Sequence, residues 1–291
     1  MKVRVPPSAP GYPCSGKGSF FKEKDMDNRA IGFFDSGLGG LTSIPVLKKT
    51  LPNEKVLYFG DTARTPYGSK SPETVRKFSA QIVDYLVSKN VKLIVIACNT
   101  VTAMALDMLR DLHPDVPIVG VIEPTARHVA ADGVDNVGII GTKVTIGSGV
   151  YAERIHELNP GIRTHSLACP ALVPLIEDGI IDNEIMDLTI RYYMDDFVKK
   201  NQINSLILGC THYPLIASNI EKLYPDIKLY NSSAEVISDV VKILTEGELL
   251  ASENEFPDRF YASDLSESFL RMTDTLFEGY DTKIKLKKLD E

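Results

Sequence analysis

Two short apolar runs, each ending in a cysteine, constrain the fold of this chain more than any other feature. Leu93 to Ala103 reads Leu-Ile-Val-Ile-Ala-Cys-Asn-Thr-Val-Thr-Ala, and Leu206 to Pro214 reads Leu-Ile-Leu-Gly-Cys-Thr-His-Tyr-Pro. Each run is continuous and of strand length, without the alternation of a half-exposed strand, so each predicts a strand buried on both faces. Such strands belong to parallel α/β sheets, which hold their ligands at the carboxyl ends of the strands. Cys98 and Cys210 would both stand at that edge, in two similar halves, facing each other across one substrate.

Strand, loop and helix alternate around these runs. Strands are expected at Ala30–Phe34, Val56–Phe59, Leu93–Ala97 and Ile118–Val121, with helices over about 41–49, 71–89 and 102–112. Ser71-Pro72-Glu73 suits a helix start: Ser as N-cap, Pro in the first helical position, Glu at the positive end of the dipole. The second half repeats the plan, with strands at Val137–Ile140, Thr164–Ala168, Leu206–Leu208 and Lys228–Tyr230. Its helices are expected over 148–158, 173–177, 182–200 and 215–223. Ile31-Gly32-Phe33-Phe34-Asp35-Ser36 aligns with Val137-Gly138-Ile139-Ile140-Gly141-Thr142, the mark of an internal duplication. The tail carries a helix over 234–245, a strand at Arg259–Ser263, a helix over 267–276 and a charged strand over 283–289.

The expected fold is therefore α/β: two similar parallel-sheet domains related by a pseudo-twofold, with the active site in the cleft between them. Residues 29–122 with 233–291 make up the first domain and 123–232 the second. Residues 1–28 hold Pro6, Pro7, Pro10 and Pro13 among Gly, Ser and Lys, and read as a disordered arm. Met26 stands just before the first strand, so a start there would serve the fold.

A chain of 291 residues that is 44% apolar has material for two ordinary cores, and its net charge of -7 argues against nonspecific nucleic-acid or membrane-surface binding. No apolar run reaches the roughly 18 residues of a membrane span, and the first residues lack a signal peptide's apolar segment. A cytoplasmic location is expected. The four cysteines, Cys14, Cys98, Cys169 and Cys210, have no metal or disulfide spacing and read as free thiols.

A buried cysteine is commonly inert packing. The polar residues after Cys98 and Cys210 favour chemistry, because a thiol holds or releases a proton near neutral pH when a cation, hydroxyl or N–H group attends it. The glycine-rich loop Asp35-Ser36-Gly37-Leu38-Gly39-Gly40 is either a tight turn or a cradle for an anion at a helix start. It lacks the spacing of nucleotide-binding loops, so a carboxylate suits it better. Asp35 itself suits an ammonium or a proton relay. Asp61 is as readily a loop cap as a catalytic acid, and Glu177 as readily a helix-end carboxylate. His212, two residues beyond Cys210, fits an acid–base partner better than a zinc ligand, since no second ligand pair accompanies it. No metal site is expected.

Five motifs occur in order: Asp-Ser-Gly-Leu-Gly-Gly at 35–40, Gly-Asp-Thr at 60–62, Pro-Tyr-Gly at 66–68, Ala-Cys-Asn-Thr at 97–100 and Gly-Cys-Thr-His-Tyr-Pro at 209–214. Together they resemble the glutamate racemases of the cofactor-independent amino-acid racemase superfamily, over about residues 30–245. The resemblance implies exchange of the glutamate α-proton between two thiols, without cofactor or metal, to supply D-glutamate for peptidoglycan. Cys98 and Cys210 would be the two bases, Cys98 acting on D-glutamate and Cys210 on L-glutamate. Asp35 would assist Cys98 and His212 would assist Cys210. Asp61 and Glu177 match acidic positions with weaker claims. Ser36, Tyr67, Gly68, Asn99, Thr100, Thr211 and Thr142 would hold the substrate, together with Asp35 and His212. A homodimer follows from the resemblance. Alternatives are a racemase of aspartate or another amino acid, a one-thiol Cys210–His212 hydrolase, and a non-catalytic glutamate-binding protein.

Overall fold

The computed structural model describes residues 27–252, 257–277 and 283–289. Cys14, Met26 and nearly all of the expected arm lie outside the described residues. Its last two positions are tied to the fold: the Asp27 N–H donates to Leu250 O at 3.2 Å, and Ser252 N–H donates to the Asn28 side chain at 3.2 Å.

In chain order the first half runs β1 (Ile31–Asp35), α1 (Ile44–Thr50), β2 (Val56–Gly60), α2 (Pro72–Ser88), β3 (Leu93–Ile96), α3 (Asn99–Leu112) and β4 (Ile118–Gly120). Helix α4 (Ile122–Ala131) carries the chain across. The second half is β5 (Asn136–Gly141), α5 (Lys143–Ser148), α6 (Val150–Leu158), β6 (Arg163–Ala168), α7 (Leu172–Glu177), α8 (Glu184–Asn201), β7 (Ser205–Gly209), α9 (Ala217–Leu223) and β8 (Lys228–Asn231). Helix α10 (Ser232–Glu246) returns to the first half, followed by β9 (Arg259–Ala262), α11 (Glu267–Leu276) and β10 (Ile284–Leu286).

The strands form two parallel sheets, ordered β10-β9-β2-β1-β3-β4 and β6-β5-β7-β8. The core of the first, 2-1-3-4, repeats term by term as 6-5-7-8 in the second. β1 thus corresponds to β5, the pair that aligns in sequence, and β3 to β7, the two runs that end in cysteine. Strands β1, β2, β3, β5 and β7 are buried along their whole length, as their unbroken apolar runs demand. The tail completes the first sheet: β9 pairs with β2, and β10 with β9.

Three local expectations change. The helix expected from Thr102 begins at Asn99, so Cys98 is its N-cap and Asn99 and Thr100 are in its first turn. Those short polar residues read as loop, yet the first helical turn is where they are tolerated best. The helix expected over 148–158 begins at Val150 as α6, and a short helix that was not expected, α5, precedes it, the two broken at Gly149 with φ 72°. Helix α4 was not expected, because Ile118 to Ile122 reads as one apolar run and Pro124 follows; a proline in the first helical turn removes no hydrogen bond.

At the sheet edge opposite the cysteines, Lys92 is fully buried. Its Nζ lies 2.6 Å from Glu54 Oε2 and donates to Asp27 O and Leu249 O, each at 2.6 Å. Burial pulls the ammonium's pKa down and the Glu54 carboxylate offsets part of that. This pin joins the chain's entry, β3 and the segment after α10. Removing one partner strands the other charge without water, so Lys92→Ala is expected to cost about 3–5 kcal/mol in urea unfolding. A loss below ~1 kcal/mol would mean that Glu54 finds water or another partner.

Candidate active site

The exits of β1, β3, β5 and β7 converge, and with them most of the residues singled out above. After β1 the chain turns sharply, and Gly37 N–H donates to Asp35 Oδ1 at 2.8 Å. Asp35 is fully buried, and its Oδ2 has no partner of hydrogen-bond geometry among the described residues. Burial pushes its pKa up; the imidazole of His212, the Gly37 and Gly40 N–H groups and the Thr211 hydroxyl pull against that. A buried carboxylate oxygen with a free lone pair, near Cys98, suits an incoming ammonium.

Cys98 ends β3 and caps α3, 5% exposed, with its Sγ 3.3 Å from Ser36 Oγ. Burial first, then the Asp35 carboxylate, push its pKa up to about 12; the Ser36 hydroxyl and Val101 N–H act in the other direction. At neutral pH this group is a thiol. Negative charge on Cys210 also disfavours the Cys98 thiolate, so the two sulfurs sense each other.

Cys210 holds the matching position after β7, 6% exposed, with its Sγ 3.8 Å from His212 Nδ1. His212 Nε2 donates to Glu177 Oε1 at 3.1 Å, from the end of α7. Burial alone would drive the imidazole neutral, but Cys210 and Glu177 outweigh it and raise its pKa to about 10. At neutral pH His212 is therefore an imidazolium between a sulfur and a carboxylate. The two thiols have opposite surroundings: an anion beside Cys98, a cation beside Cys210.

Hydroxyls and close backbone contacts join the halves around the thiols. Thr100 Oγ1 lies 3.0 Å from Thr142 Oγ1 and 3.1 Å from Thr145 Oγ1. Thr142 is also the N-cap of α5, accepting from Thr145 N–H. Gly68 packs so tightly on Thr142 that a Cβ there would lie 2.4 Å from the threonine Cβ. Gly39 meets Thr211 in the same way, at 2.2 Å from its Oγ1. Asp35, Ser36, Cys98, Thr100, Thr211 and His212 are all buried, so the halves are closed on each other.

Two expected residues stand differently. Asn99 lies at the junction, but its side chain is engaged: Tyr151 OH donates to its Oδ1 at 2.6 Å, and its Nδ2 donates to Ser232 Oγ at 3.1 Å. Asp61 is fully buried one layer behind the thiols, and both its oxygens are taken, Oδ2 by Tyr67 OH and Arg64 Nε, Oδ1 by Ser263 Oγ. Tyr151, Thr145, Ser232 and Ser263 were not expected at the site. No local pattern marks them, although Thr145 follows Thr142 at capping distance. Among the described residues, no group of three or more His, Cys, Asp or Glu is placed to hold a metal ion.

Residues 45–240 match the model of the Asp/Glu/hydantoin racemase family. The chain belongs to that family. As a member it is a racemase, and so an isomerase. It is 45% identical over 257 residues to a glutamate racemase of Geobacter metallireducens, spanning 87% of this chain and 94% of the relative. A glutamate racemase of Streptococcus pneumoniae is 39% identical, spanning 87% of this chain and 96% of the relative. The crystal structure of Francisella tularensis glutamate racemase in complex with D-glutamate is similar with a TM-score of 0.85 at 38% identity, covering 91% of this chain and 99% of that one. These neighbours share the two-sheet α/β fold. Among the described residues, no helix of this family member is long and apolar enough to cross a membrane.

Proposed function

We propose that this chain interconverts L- and D-glutamate by passing the α-proton between Cys98 and Cys210. The observation that carries the reading is the pair of buried thiols at equivalent strand exits, one beside a carboxylate and one beside an imidazolium. Cys210, as thiolate against His212, removes the α-proton of L-glutamate. Cys98, held as thiol, delivers a proton to the opposite face. The products are D-glutamate, a Cys98 thiolate and a Cys210 thiol; the reverse reaction exchanges the roles. The substrate ammonium beside Asp35 offsets the like-charge penalty that, after burial, disfavours the Cys98 thiolate, so binding brings Cys98 closer to acting as a base.

Glutamate makes α-proton removal difficult, because the carbanion adds charge to an anionic molecule. Hydroxyls of Ser36, Thr100, Thr142 and Thr211, with N–H groups of the first turn of α3, offer donors in a site cleared of bulk water. Tyr67 is buried and leads into Gly68, which packs on Thr142 at the edge of the site. Asn99 contributes through its place in that turn, since its side chain is already engaged. Glu177 holds His212, and Asp61 acts from behind Tyr67 as a positioning group. Opening about the crossovers at α4 and α10 admits substrate, and closure restores the contacts described. The domains are 29–122 with 233–291, and 123–232. By resemblance, the enzyme is a cytoplasmic homodimer whose D-glutamate enters peptidoglycan synthesis.

The test is solvent deuterium incorporation at the α-carbon of L- and D-glutamate, with no added cofactor and with a chelator present. Racemisation with α-deuterium uptake supports the reading. A folded enzyme that leaves both enantiomers unlabelled overturns it, and uptake into aspartate instead favours the aspartate alternative.

The pH dependence follows from His212. Its proton is held well above the ordinary imidazole range, so the imidazolium beside Cys210 persists through neutral pH and is lost as pH rises through about 10. The same sign holds for stability: the contribution is complete below ~6.5 and gone above the folded value. For L-glutamate, kcat/KM is expected to fall roughly tenfold per pH unit on that alkaline limb, and His212→Gln to remove the limb while lowering the plateau. An unchanged limb in His212→Gln would assign it to another group.

A further inference from the structure

We propose that Ser263, beyond β9 in the C-terminal tail, is a positioning residue of the active site, acting on Tyr67 through the buried carboxylate of Asp61. The proposal rests on the glutamate racemase reading for its kinetic consequences, while its structural consequence stands apart from it.

Ser263 has a defined polarity. Its Oγ accepts from Ala63 N–H at 2.9 Å and therefore donates its own proton to Asp61 Oδ1 at 2.8 Å. Its N–H donates to Gly60 O at 3.0 Å, fixing it at the exit of β2. Next to it, Thr62 Oγ1 donates to Asp264 O at 2.6 Å and accepts from Asp264 N–H at 2.8 Å. The tail thus grips the loop 60–64 by four hydrogen bonds from side chains and one from backbone to backbone.

That loop carries Asp61, whose second oxygen is shared by Tyr67 OH and by Arg64 Nε at 2.7 Å. Arg64 lies over the Phe78 ring, 4.1 Å from its centroid, and the Tyr67 ring stands against the same phenylalanine at 5.9 Å. Tyr67 leads directly into Gly68, the residue pressed on Thr142. Ser263 therefore sets one end of a chain of contacts whose other end is the hydroxyl group that joins the two halves beside Cys98. Without its hydroxyl, Asp61 Oδ1 is buried and unpaired, and the carboxylate turns or takes up water. A turn carries Oδ2 away from the Tyr67 hydroxyl, and water at Oδ1 alters the charge on the Oδ2 that this hydroxyl meets; either result perturbs the Tyr67 contact where the halves meet, while β9 keeps its place in the sheet.

The test uses the full chain and two readouts. Enzyme labelled with ¹³C at the tyrosine Cζ reports each phenol by NMR, with Tyr67 identified by its loss in Tyr67→Phe. Ser263→Ala is expected to shift the Tyr67 resonance and to leave tyrosines of the second half, such as Tyr224, in place. Ser263→Thr, which keeps the hydroxyl, is expected to restore it. In racemisation assays, KM for both glutamate enantiomers is expected to rise about tenfold in Ser263→Ala, with kcat changed by less than ~3-fold. Adding Tyr67→Phe to Ser263→Ala should then cost little beyond Tyr67→Phe alone, since both act on one contact.

A Tyr67 resonance that does not move in Ser263→Ala overturns the proposal, whatever the kinetics. Fully additive effects in the double variant overturn it too. Should Ser263→Ala not fold, Ser263→Cys, a weaker donor of similar size, must shift the same resonance. If wild type racemises neither enantiomer, the glutamate reading fails, and the NMR arm alone decides the positioning role.

Discussion

Cys98→Ala is expected to reduce glutamate racemisation by about 10³-fold in both directions, as loss of a general acid–base group does. Ser36, the thiol's hydrogen-bond partner at 3.3 Å, is far too weak an acid to replace it. The loss should not be symmetrical in exchange. Cys210 and its imidazolium partner remain, so the variant should still wash solvent deuterium into L-glutamate with retention, and not into D-glutamate. Cys210→Ala should show the converse. Racemisation would be followed by circular dichroism and exchange by proton NMR. Wild-type racemisation in Cys98→Ala would overturn the two-thiol mechanism and favour a reaction centred on Cys210 and His212 alone.

Gly39→Ala should reduce kcat/KM by about 100-fold without touching a reacting group, the scale expected when parts of a site are displaced by an ångström. A Cβ at Gly39 would sit 2.2 Å from Thr211 Oγ1 and 2.8 Å from the Thr211 carbonyl carbon. The hydroxyl could rotate away; the backbone could not. Thr211 joins Cys210 to His212, so the methyl group would push the second half's thiol and imidazolium away from the first half's Asp35 and Cys98. The overpacking itself should cost about 1–3 kcal/mol, small enough for a folded enzyme. Thermal unfolding and kinetics measured on the same sample separate the two effects. Full activity in Gly39→Ala would mean that catalysis does not use this closed approach of Gly39 to Thr211.

Much of the architecture is legible in the sequence. Continuous apolar runs marked the strands, because a strand covered on both faces has no side to leave polar. Ser71 marked the start of α2, because its hydroxyl satisfies the Thr74 N–H that no helical carbonyl reaches. The two cysteines could be placed at one sheet edge because parallel topology puts the exits of β3 and β7 at equivalent points. Local pattern failed where a residue's partner is distant in sequence. Helix α4 is held by α10, through His128 to Glu235 at 2.7 Å and Arg127 to Asp239, more than a hundred residues away. Asp61 looked equally like a catalytic acid and a cap; its three partners, one of them 202 residues on, make it a buried junction.

The residue types and their order were enough to establish two parallel α/β units and a thiol at the same point of each. Both are short-range facts, set by side-chain periodicity and strand direction. The charge state of each thiol is a different matter. It depends on which groups face the sulfur across the cleft and on how much water is excluded, and neither is written in adjacent residues. Folding brings Asp35 to Cys98 and the Glu177–His212 pair to Cys210, and so holds Cys98 as a thiol with an imidazolium beside Cys210. Coulomb energy depends on distance through space and on the surrounding dielectric, and only the packed chain sets those two quantities.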